Sequence, residues 1–175
     1  MKRVISFLLL LIFVSISLFA CNKGEDIRGN SIGDRCYGME LSVIDENGET
    51  GEKINPGELG RVTIINFWGV WCPYCLYEMP DLDRIASEFE NEVTVVAIHT
   101  FSRKSEAPGF IASGYKDSDI IFAQDTDNDD YYGKMTNTGY YPYTVILDKE
   151  GKIIDIKIGA TDYAGFYNAI KDLIK

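Results

Sequence analysis

The feature that most constrains the fold is a run of β-branched and aromatic residues near the middle of the chain. Residues 62–67 read Val-Thr-Ile-Ile-Asn-Phe, and residues 93–98 read Val-Thr-Val-Val-Ala-Ile. A strand of this kind is apolar on both faces, so its sheet must be covered on both sides. Between the two runs, apolar residues recur at helical spacing, at Leu76, Met79, Leu82, Ile85, Ala86 and Phe89. The segment therefore predicts a β-α-β unit with parallel strands.

Weaker signals place further elements around this unit. A strand at residues 39–44 is followed by turn sequences at residues 45–48 and 55–57, which predicts an N-terminal β-hairpin extension. Downstream we expect a helix at 107–113, strands at 120–123, 144–147 and 153–158, and an amphipathic helix at 163–174. With 175 residues, 46% of them hydrophobic, the chain can bury one core. The fold class predicted is α/β, with a central mixed sheet flanked by helices.

The first residues have the character of an export signal. Lys2 and Arg3 precede 17 uncharged apolar residues, 4–20, which end immediately before Cys21. We expect cleavage; the alternative, a permanent single span, would be short. The predicted organisation is a signal peptide at 1–20, a flexible polar tether at 21–32 and one domain at 33–175.

The charge excludes one class of partner. Removing residues 1–20 takes away two basic and no acidic residues, so the net charge of −10 becomes −12 in the mature chain. Such an acidic chain repels phosphate backbones, and we expect no nucleic-acid partner.

The chemistry is predicted at Cys72-Pro73-Tyr74-Cys75, between the strand and the helix of the β-α-β unit. A sulfur at a helix N-terminus faces free backbone N–H groups and the helix dipole, and both favour thiolate over thiol. Pro73 suits the first helical turn, where its missing N–H costs nothing. Cys72 is therefore the predicted nucleophile, and Cys75, one turn inside, the resolving thiol.

Alternatives for these cysteines are an inert disulfide or half of a zinc site. A zinc site needs further Cys or His ligands, and only His99 and Cys36 are plausible ones. We expect His99 to be a structural histidine at a strand end and Cys36 to be a buried thiol. Asp125, Asp127 and Asp129 imitate a calcium loop, but the Gly and Glu that such a loop requires are missing. We therefore expect no metal, and no cofactor besides the redox-active cysteine pair.

The residues around the two cysteines resemble those of a known family. Residues 66–75, Asn-Phe-Trp-Gly-Val-Trp-Cys-Pro-Tyr-Cys, followed by Glu78-Met79-Pro80, are similar to the TlpA/ResA-like branch of the thioredoxin superfamily. The resemblance covers about residue 33 to the C-terminus and implies a thioredoxin-like fold. It also separates the chain from glutaredoxins, which share the Cys-Pro-Tyr-Cys sequence but lack the Trp-rich run with Trp71 and the Glu-x-Pro sequence.

The resemblance implies roles for further residues. General thioredoxins have a buried Asp where this chain has Asn66, and Glu78 resembles the acid that this branch uses for proton exchange with the thiols. Pro142 stands where the superfamily has a cis-proline loop opposite the dithiol. The neighbouring Tyr140, Tyr141 and Tyr143, together with Tyr74, form either an aromatic rim for a polypeptide substrate or ordinary packing.

The expected function is reduction of protein disulfides outside the cytoplasm. Leu18-Phe19-Ala20-Cys21 resembles a bacterial lipobox, which implies lipidation of Cys21 and anchoring to the outer face of the cytoplasmic membrane, or a periplasmic location. The alternative for Cys21 is an incidental thiol. The expected partners are a disulfide-bearing protein and a membrane-embedded thiol carrier (CcdA- or DsbD-like) as electron donor, and we expect a monomer. Relatives of this kind act in cytochrome c maturation, on spore-envelope proteins or as donors to methionine sulfoxide reductases. The rival functions are a disulfide-forming oxidant and a non-catalytic peptide-binding lipoprotein.

Overall fold

The fold is built around one large sheet. The computed structural model describes residues 28–100, 104–136 and 138–174. Its strands are β1 (Arg28–Gly29), β2 (Arg35–Cys36), β3 (Leu41–Asp45), β4 (Gly48–Ile54), β5 (Val62–Trp68), β6 (Val93–His99), β7 (Ile121–Gln124), β8 (Tyr143–Leu147) and β9 (Ile153–Ile158). The helices are α1 (Pro73–Glu88), α2 (Ala107–Gly114), α3 (Asp130–Met135) and α4 (Tyr163–Ile170), with short 3-10 turns at Pro56–Glu58 and Lys104–Glu106.

The sheet is mixed, as predicted. Seven strands follow the order β4-β3-β7-β6-β5-β8-β9. Strands β5, β6 and β7 are parallel to one another, while β8, β9 and β3 each pair antiparallel with a neighbour. The hairpin of β3 and β4 pairs with β7, so the predicted N-terminal extension continues the central sheet. The predicted α/β fold with helices on the sheet is confirmed.

Strand β5 lies at the centre and is buried along its whole length. Val62, Ile64 and Trp68 belong to the core that contains the apolar face of α1, whereas Ile65 and Phe67 belong to the core on the opposite face. Side chains alternate along a strand, so Asn66 has the same orientation as Ile64 and Trp68. The alternation therefore directs one polar side chain of a buried strand towards α1.

The N-terminal residues of the described chain pack at the end of the sheet away from Trp68. The backbone N–H groups of Gly33 and Cys36 donate to the carbonyls of Ile153 and Gly151, in and beside the turn that joins β8 to β9. Residues 28–32 were expected in a flexible tether, but β1 pairs with β2 and Arg28 forms an ion pair with Glu58 at 2.9 Å. These five residues therefore belong to the folded domain, because their backbone and charges find partners in it.

Helix α3 was not predicted, and one carboxylate explains it. Asp125 accepts hydrogen bonds from the backbone N–H groups of Thr126, Tyr131 and Tyr132, at 2.7, 3.1 and 2.8 Å. The acidic residue that resembled a calcium ligand thus satisfies free N–H groups at the start of a helix.

One other prediction differs from the structure in extent. The second strand of the predicted hairpin is β4, although most of its residues are polar and exposed. The last helix was expected to reach residue 174, but it ends at Ile170, where the N–H of Leu173 bonds back to Ile170 and closes a turn.

The predicted signal peptide at 1–20 and the lipidation site Cys21 lie outside the described residues. Among the described residues, no helix combines the length and the apolar character needed to cross a membrane.

Candidate active site

The two predicted redox cysteines lie at the start of α1. Cys72 is the N-cap residue, with extended backbone angles, and Pro73 is the first helical residue. The Sγ atom of Cys72 accepts the backbone N–H of Cys75 at 3.2 Å. The two sulfurs form a disulfide, and the Cα atoms are 5.3 Å apart. Cys72 therefore has a donor ready to stabilise its thiolate after reduction, as expected for a nucleophile at a helix N-terminus.

Burial distinguishes the two sulfurs. Cys72 is 4% exposed and Cys75 is fully buried. Trp71, just before the motif, is 46% exposed, and Tyr74 inside it is 69% exposed. An incoming disulfide thus meets Cys72 before Cys75.

Glu78 is fully buried, one helical turn after Cys75 on the same side of α1. Its Oε1 accepts from the Nδ2 of Asn66 at 2.7 Å, and its Oε2 accepts from the backbone N–H of Thr161 at 2.8 Å. Burial raises the pKa of Glu78 from 4.5 to about 7, although the hydrogen bonds from Thr161 and Asn66 oppose that rise. The acid therefore titrates close to neutral pH, the range in which a proton-exchanging group is most useful.

Asn66 connects this acid to the neighbouring strand. Its Nδ2 also donates to the Oγ1 of Thr144 on β8 at 2.9 Å. Its own amide oxygen is buried and, among the described residues, has no hydrogen-bond partner. Asn66 thus presents a donor to Glu78 and retains an unused acceptor.

The loop before β8 supplies the second side of the site. The peptide bond between Tyr141 and Pro142 is cis, the geometry that the family resemblance implied. The carbonyl of Pro142 accepts from the N–H of Gly159 at 2.9 Å, which ties this loop to the segment after β9. The Tyr141 ring packs edge-on against Trp71, with ring centroids 5.1 Å apart. The loop thereby lies beside the residue that precedes the nucleophile.

The tyrosines of this region differ in burial. Tyr74 and Tyr140 are 69% and 66% exposed, whereas Tyr143 is 3% exposed and packs against Phe67. Tyr141 is half-buried, stacks on Tyr132 with centroids 4.5 Å apart, and accepts a hydrogen bond from Thr100. Burial raises the pKa of Tyr141 far above its ordinary value, so its hydroxyl remains protonated.

His99 and Cys36 have the structural roles expected of them. His99 is buried edge-on against Trp68, and its Nδ1 donates to Oε1 of Gln124 at 3.1 Å. Cys36 is buried 3.4 Å from the Tyr131 hydroxyl, and burial raises the pKa of its thiol to about 11. Among the residues that the structure describes, no group of three or more His, Cys, Asp or Glu side chains is arranged to hold a metal ion.

Two residues of the candidate active site were not predicted from the sequence. Thr161 contributes a backbone N–H to Glu78, and no side-chain pattern signals a backbone donor. Thr100 follows β6, parallel to β5, and its hydroxyl bonds both to the Trp68 carbonyl and to Tyr141. Its position after the strand next to β5 was a usable signal, because carboxyl ends of parallel strands share one edge of a sheet.

The protein has a mixed sheet, a cysteine pair at the start of α1 and a cis-proline loop beside that pair. This combination defines a thioredoxin-like protein. The redoxin family model matches residues 40–170. The chain therefore belongs to the redoxin family, and within the thioredoxin superfamily it is TlpA/ResA-like.

Individual proteins agree with this assignment. The chain is 34% identical to the thioredoxin-like protein YneN of Bacillus subtilis (strain 168), over 57% of this chain and 58% of YneN. It is 28% identical to the thiol-disulfide oxidoreductase ResA of Bacillus cereus, over 62% of each protein. The chain thus spans about three fifths of the length of these relatives. A putative thiol:disulfide interchange protein DsbE from Chlorobium tepidum has the same fold, with a TM-score of 0.68 at 18% identity, covering 83% of this chain and 99% of that one.

The buried acid makes stability depend on pH. Between pH 4.5 and about 7, Glu78 loses its proton in the unfolded chain but keeps it in the folded one, so the free energy of unfolding falls as pH rises. A shift of this size corresponds to roughly 3 kcal/mol. We expect the stability of the oxidised wild-type protein relative to Glu78→Gln to fall by about that amount between pH 4 and pH 8, measured by urea unfolding.

Glu88 on the same helix is the matched control. Hydrogen bonds from Tyr163 and Arg84 lower the pKa of Glu88, so Glu88→Gln should give a pH dependence of opposite sign. A stability difference between wild type and Glu78→Gln that stays constant from pH 4 to pH 8 would contradict the assignment.

Proposed function

We propose that this protein is a thiol-disulfide oxidoreductase that reduces disulfides in other proteins. The observation that carries the proposal is the helix N-cap position of Cys72, where its sulfur accepts the Cys75 N–H beside its disulfide partner. The names of the relatives ResA and DsbE support the same reaction class.

The reaction proceeds by two exchanges. In the reduced protein, the Cys72 thiolate attacks a substrate disulfide, forming a mixed disulfide and releasing one substrate thiolate. The Cys75 thiolate then attacks the Sγ of Cys72, forming the intramolecular disulfide and releasing the second substrate thiolate. Two electrons pass from the dithiol to the substrate, and the released thiolates take up the two protons lost by the cysteines.

Glu78 is the proposed proton acceptor for Cys75. It lies one turn from this thiol in a buried setting, and its pKa of about 7 allows both protonation states near neutral pH. Asn66 can form a hydrogen bond with either protonation state of Glu78. Its NH₂ group donates to the ionised carboxylate, and its unused oxygen can accept from the protonated acid when the amide rotates.

The proposed site of action is outside the cytoplasm. The basic residues Lys2 and Arg3, the apolar segment 4–20 and the lipobox-like sequence at Cys21 support export and lipid anchoring. A membrane-embedded thiol carrier then returns electrons to the dithiol, because glutathione-type reductants of the cytoplasm do not maintain thiols in that compartment.

Replacement of the resolving thiol tests the mechanism. We expect Cys75→Ser to accumulate mixed disulfides through Cys72, because the second exchange cannot occur. Non-reducing gels followed by mass spectrometry would detect and identify the bound proteins. Cys72→Ser is the matched control and should trap none; adducts formed through Cys75 in that variant would reverse the two roles.

The direction of electron flow is tested by the reduction potential. An ionised Glu78 disfavours thiolate near it, and this stabilises the disulfide relative to the reduced form. We expect a potential of about −220 mV or lower, nearer that of thioredoxin than that of DsbA. Equilibration with graded dithiothreitol or glutathione buffers measures it. Glu78→Gln should raise the potential, and a wild-type value above about −180 mV would favour the rival oxidant or isomerase function.

Membrane fractionation tests the anchor. We expect the mature protein to be found with membranes, and Cys21→Ala to be released or left unprocessed, because the lipid of a lipoprotein has several acyl chains and anchors stably. Cys36→Ala, which changes another single cysteine, should remain in the membrane fraction. A wild-type protein that is soluble and has an unmodified amino terminus would exclude the anchor.

A further inference from the structure

The indole ring of Trp71 is folded back over the turn that carries the nucleophile. Residues 69–72 form a β-turn, which is closed by a hydrogen bond from the Cys72 N–H to the Gly69 carbonyl at 3.0 Å. Trp71 is the third residue of this turn, and its ring lies against Gly69, the first. Trp71 is half exposed, while Cys72 beside it is nearly covered. The ring therefore lies on the outer side of the turn, from which Cys72 must be reached.

Glycine at position 69 permits this packing. A Cβ atom at this position would lie 2.8 Å from Cε2 and 3.1 Å from Cδ1 of Trp71, and closer still to Nε1. Carbon atoms in contact are normally about 3.5 to 4.0 Å apart, so a methyl group and the indole cannot occupy these positions together. The φ angle of Gly69 is not positive, so its backbone conformation is open to alanine. The side chain of Trp71, and not the backbone, is therefore what requires glycine here.

Tyr141 holds the indole from a second direction. The two rings meet edge to face, with centroids 5.1 Å apart. Tyr141 is itself fixed, because its ring stacks on Tyr132 with centroids 4.5 Å apart and its hydroxyl accepts from Thr100 at 2.8 Å. The Tyr132 hydroxyl in turn donates to the carbonyl of Tyr140 at 3.1 Å. An indole packed against glycine on one side and a fixed ring on another is restricted to one orientation.

We infer that Gly69 is a positioning residue for Trp71, and that the held indole narrows the approach to Cys72. The inference rests on the proposed function, in which Cys72 is the nucleophile, and adds a determinant of specificity to it. Attack requires the reacting atom to come within about 3.5 Å of the Cys72 sulfur. A rigid wall beside that sulfur admits a slender group and obstructs a branched one. The protein therefore selects reaction partners by their bulk next to the reacting atom.

The test compares two alkylating reagents that differ in bulk, iodoacetamide and N-tert-butyl iodoacetamide. Both transfer the same reacting carbon: a C–S bond forms at Cys72, the C–I bond breaks and iodide leaves. The reduced protein is treated with each reagent, and mass spectrometry of the peptide that contains Cys72 gives the rate constant at this thiol. The ratio of the two rate constants within one variant cancels differences in thiolate content. The same ratio for N-acetylcysteine gives the preference of an unobstructed thiol.

We expect the wild-type protein to favour iodoacetamide about tenfold more strongly than N-acetylcysteine does, and Gly69→Ala to reduce this preference at least threefold, or about 0.6 kcal/mol. Gly109→Ala is the matched control, because a Cβ atom there meets no other atom within 4 Å. Tryptophan emission should move to longer wavelength in Gly69→Ala and not in the control, since the displaced indole is more hydrated. Trp68, the other tryptophan of the chain, is fully buried and should not contribute to that shift.

A double-mutant cycle distinguishes positioning of the indole from a general effect on structure. Trp71→Ala should also lower the preference, and the addition of Gly69→Ala to it should cause no further change, because no ring is left to displace. Tyr141→Leu removes the second contact without adding an atom at position 69. It should lower the preference too, and it tests the same arrangement if Gly69→Ala does not fold.

Three results would overturn the inference. They are a wild-type preference equal to that of N-acetylcysteine, a Gly69→Ala variant whose emission shifts while its preference stays at the wild-type value, and a Gly69→Ala variant in which neither changes. None of them affects the proposed function. That function would fail separately if the reduced wild-type protein did not reduce the disulfides of insulin.

Discussion

The buried carboxyl group of Glu78 joins the parts of the molecule that form the site. It belongs to α1, accepts from Asn66 on β5 and accepts from the backbone of Thr161 after β9. The segment after β9 also places the N–H of Gly159 against the carbonyl of the cis-proline Pro142. Loss of either donor would leave a buried oxygen without a partner, which is costly. The relative positions of the dithiol and the proline loop therefore depend on this one side chain.

This arrangement places an ionisable side chain in the core, where Glu78 is fully buried. A buried carboxyl group loses hydration, and its two hydrogen bonds only partly compensate, as its raised pKa shows. Residues that break the rules of burial are commonly found at functional sites. The buried polar position is limited to one turn of α1, since the neighbouring Met79 and Leu82 pack in the core with the apolar residues of β5.

The sequence was informative where a pattern repeats and poor where a single contact decides. The β-branched run of β5 and the helical spacing of α1 are strong local signals, so the β-α-β unit and the position of Cys72 and Cys75 were predictable. Helix α3 depends on one carboxylate, Asp125, which caps it from six residues away and cannot be recognised by periodicity. The burial of Glu78 likewise required the tertiary structure, because a carboxylate on a helix is normally solvated. The three tyrosines around Pro142 stand in similar sequence surroundings, yet Tyr140 is exposed, Tyr141 is half-buried and Tyr143 is buried, and only the tertiary structure shows this difference.

The position of β1 determines where the chain enters the domain relative to the cysteine pair. Arg28 and the residues after it pack near Glu58 and the β8–β9 turn, at the end of the sheet opposite Trp68, and β5 alone spans about 20 Å between these ends. Anything joined to the chain ahead of residue 28 meets the domain at the end remote from the sulfurs. A fusion partner, bead or solid support attached there would leave the aromatic end of the domain facing the solution, which suits the protein to immobilised use as a capture reagent for thiol-reactive chains.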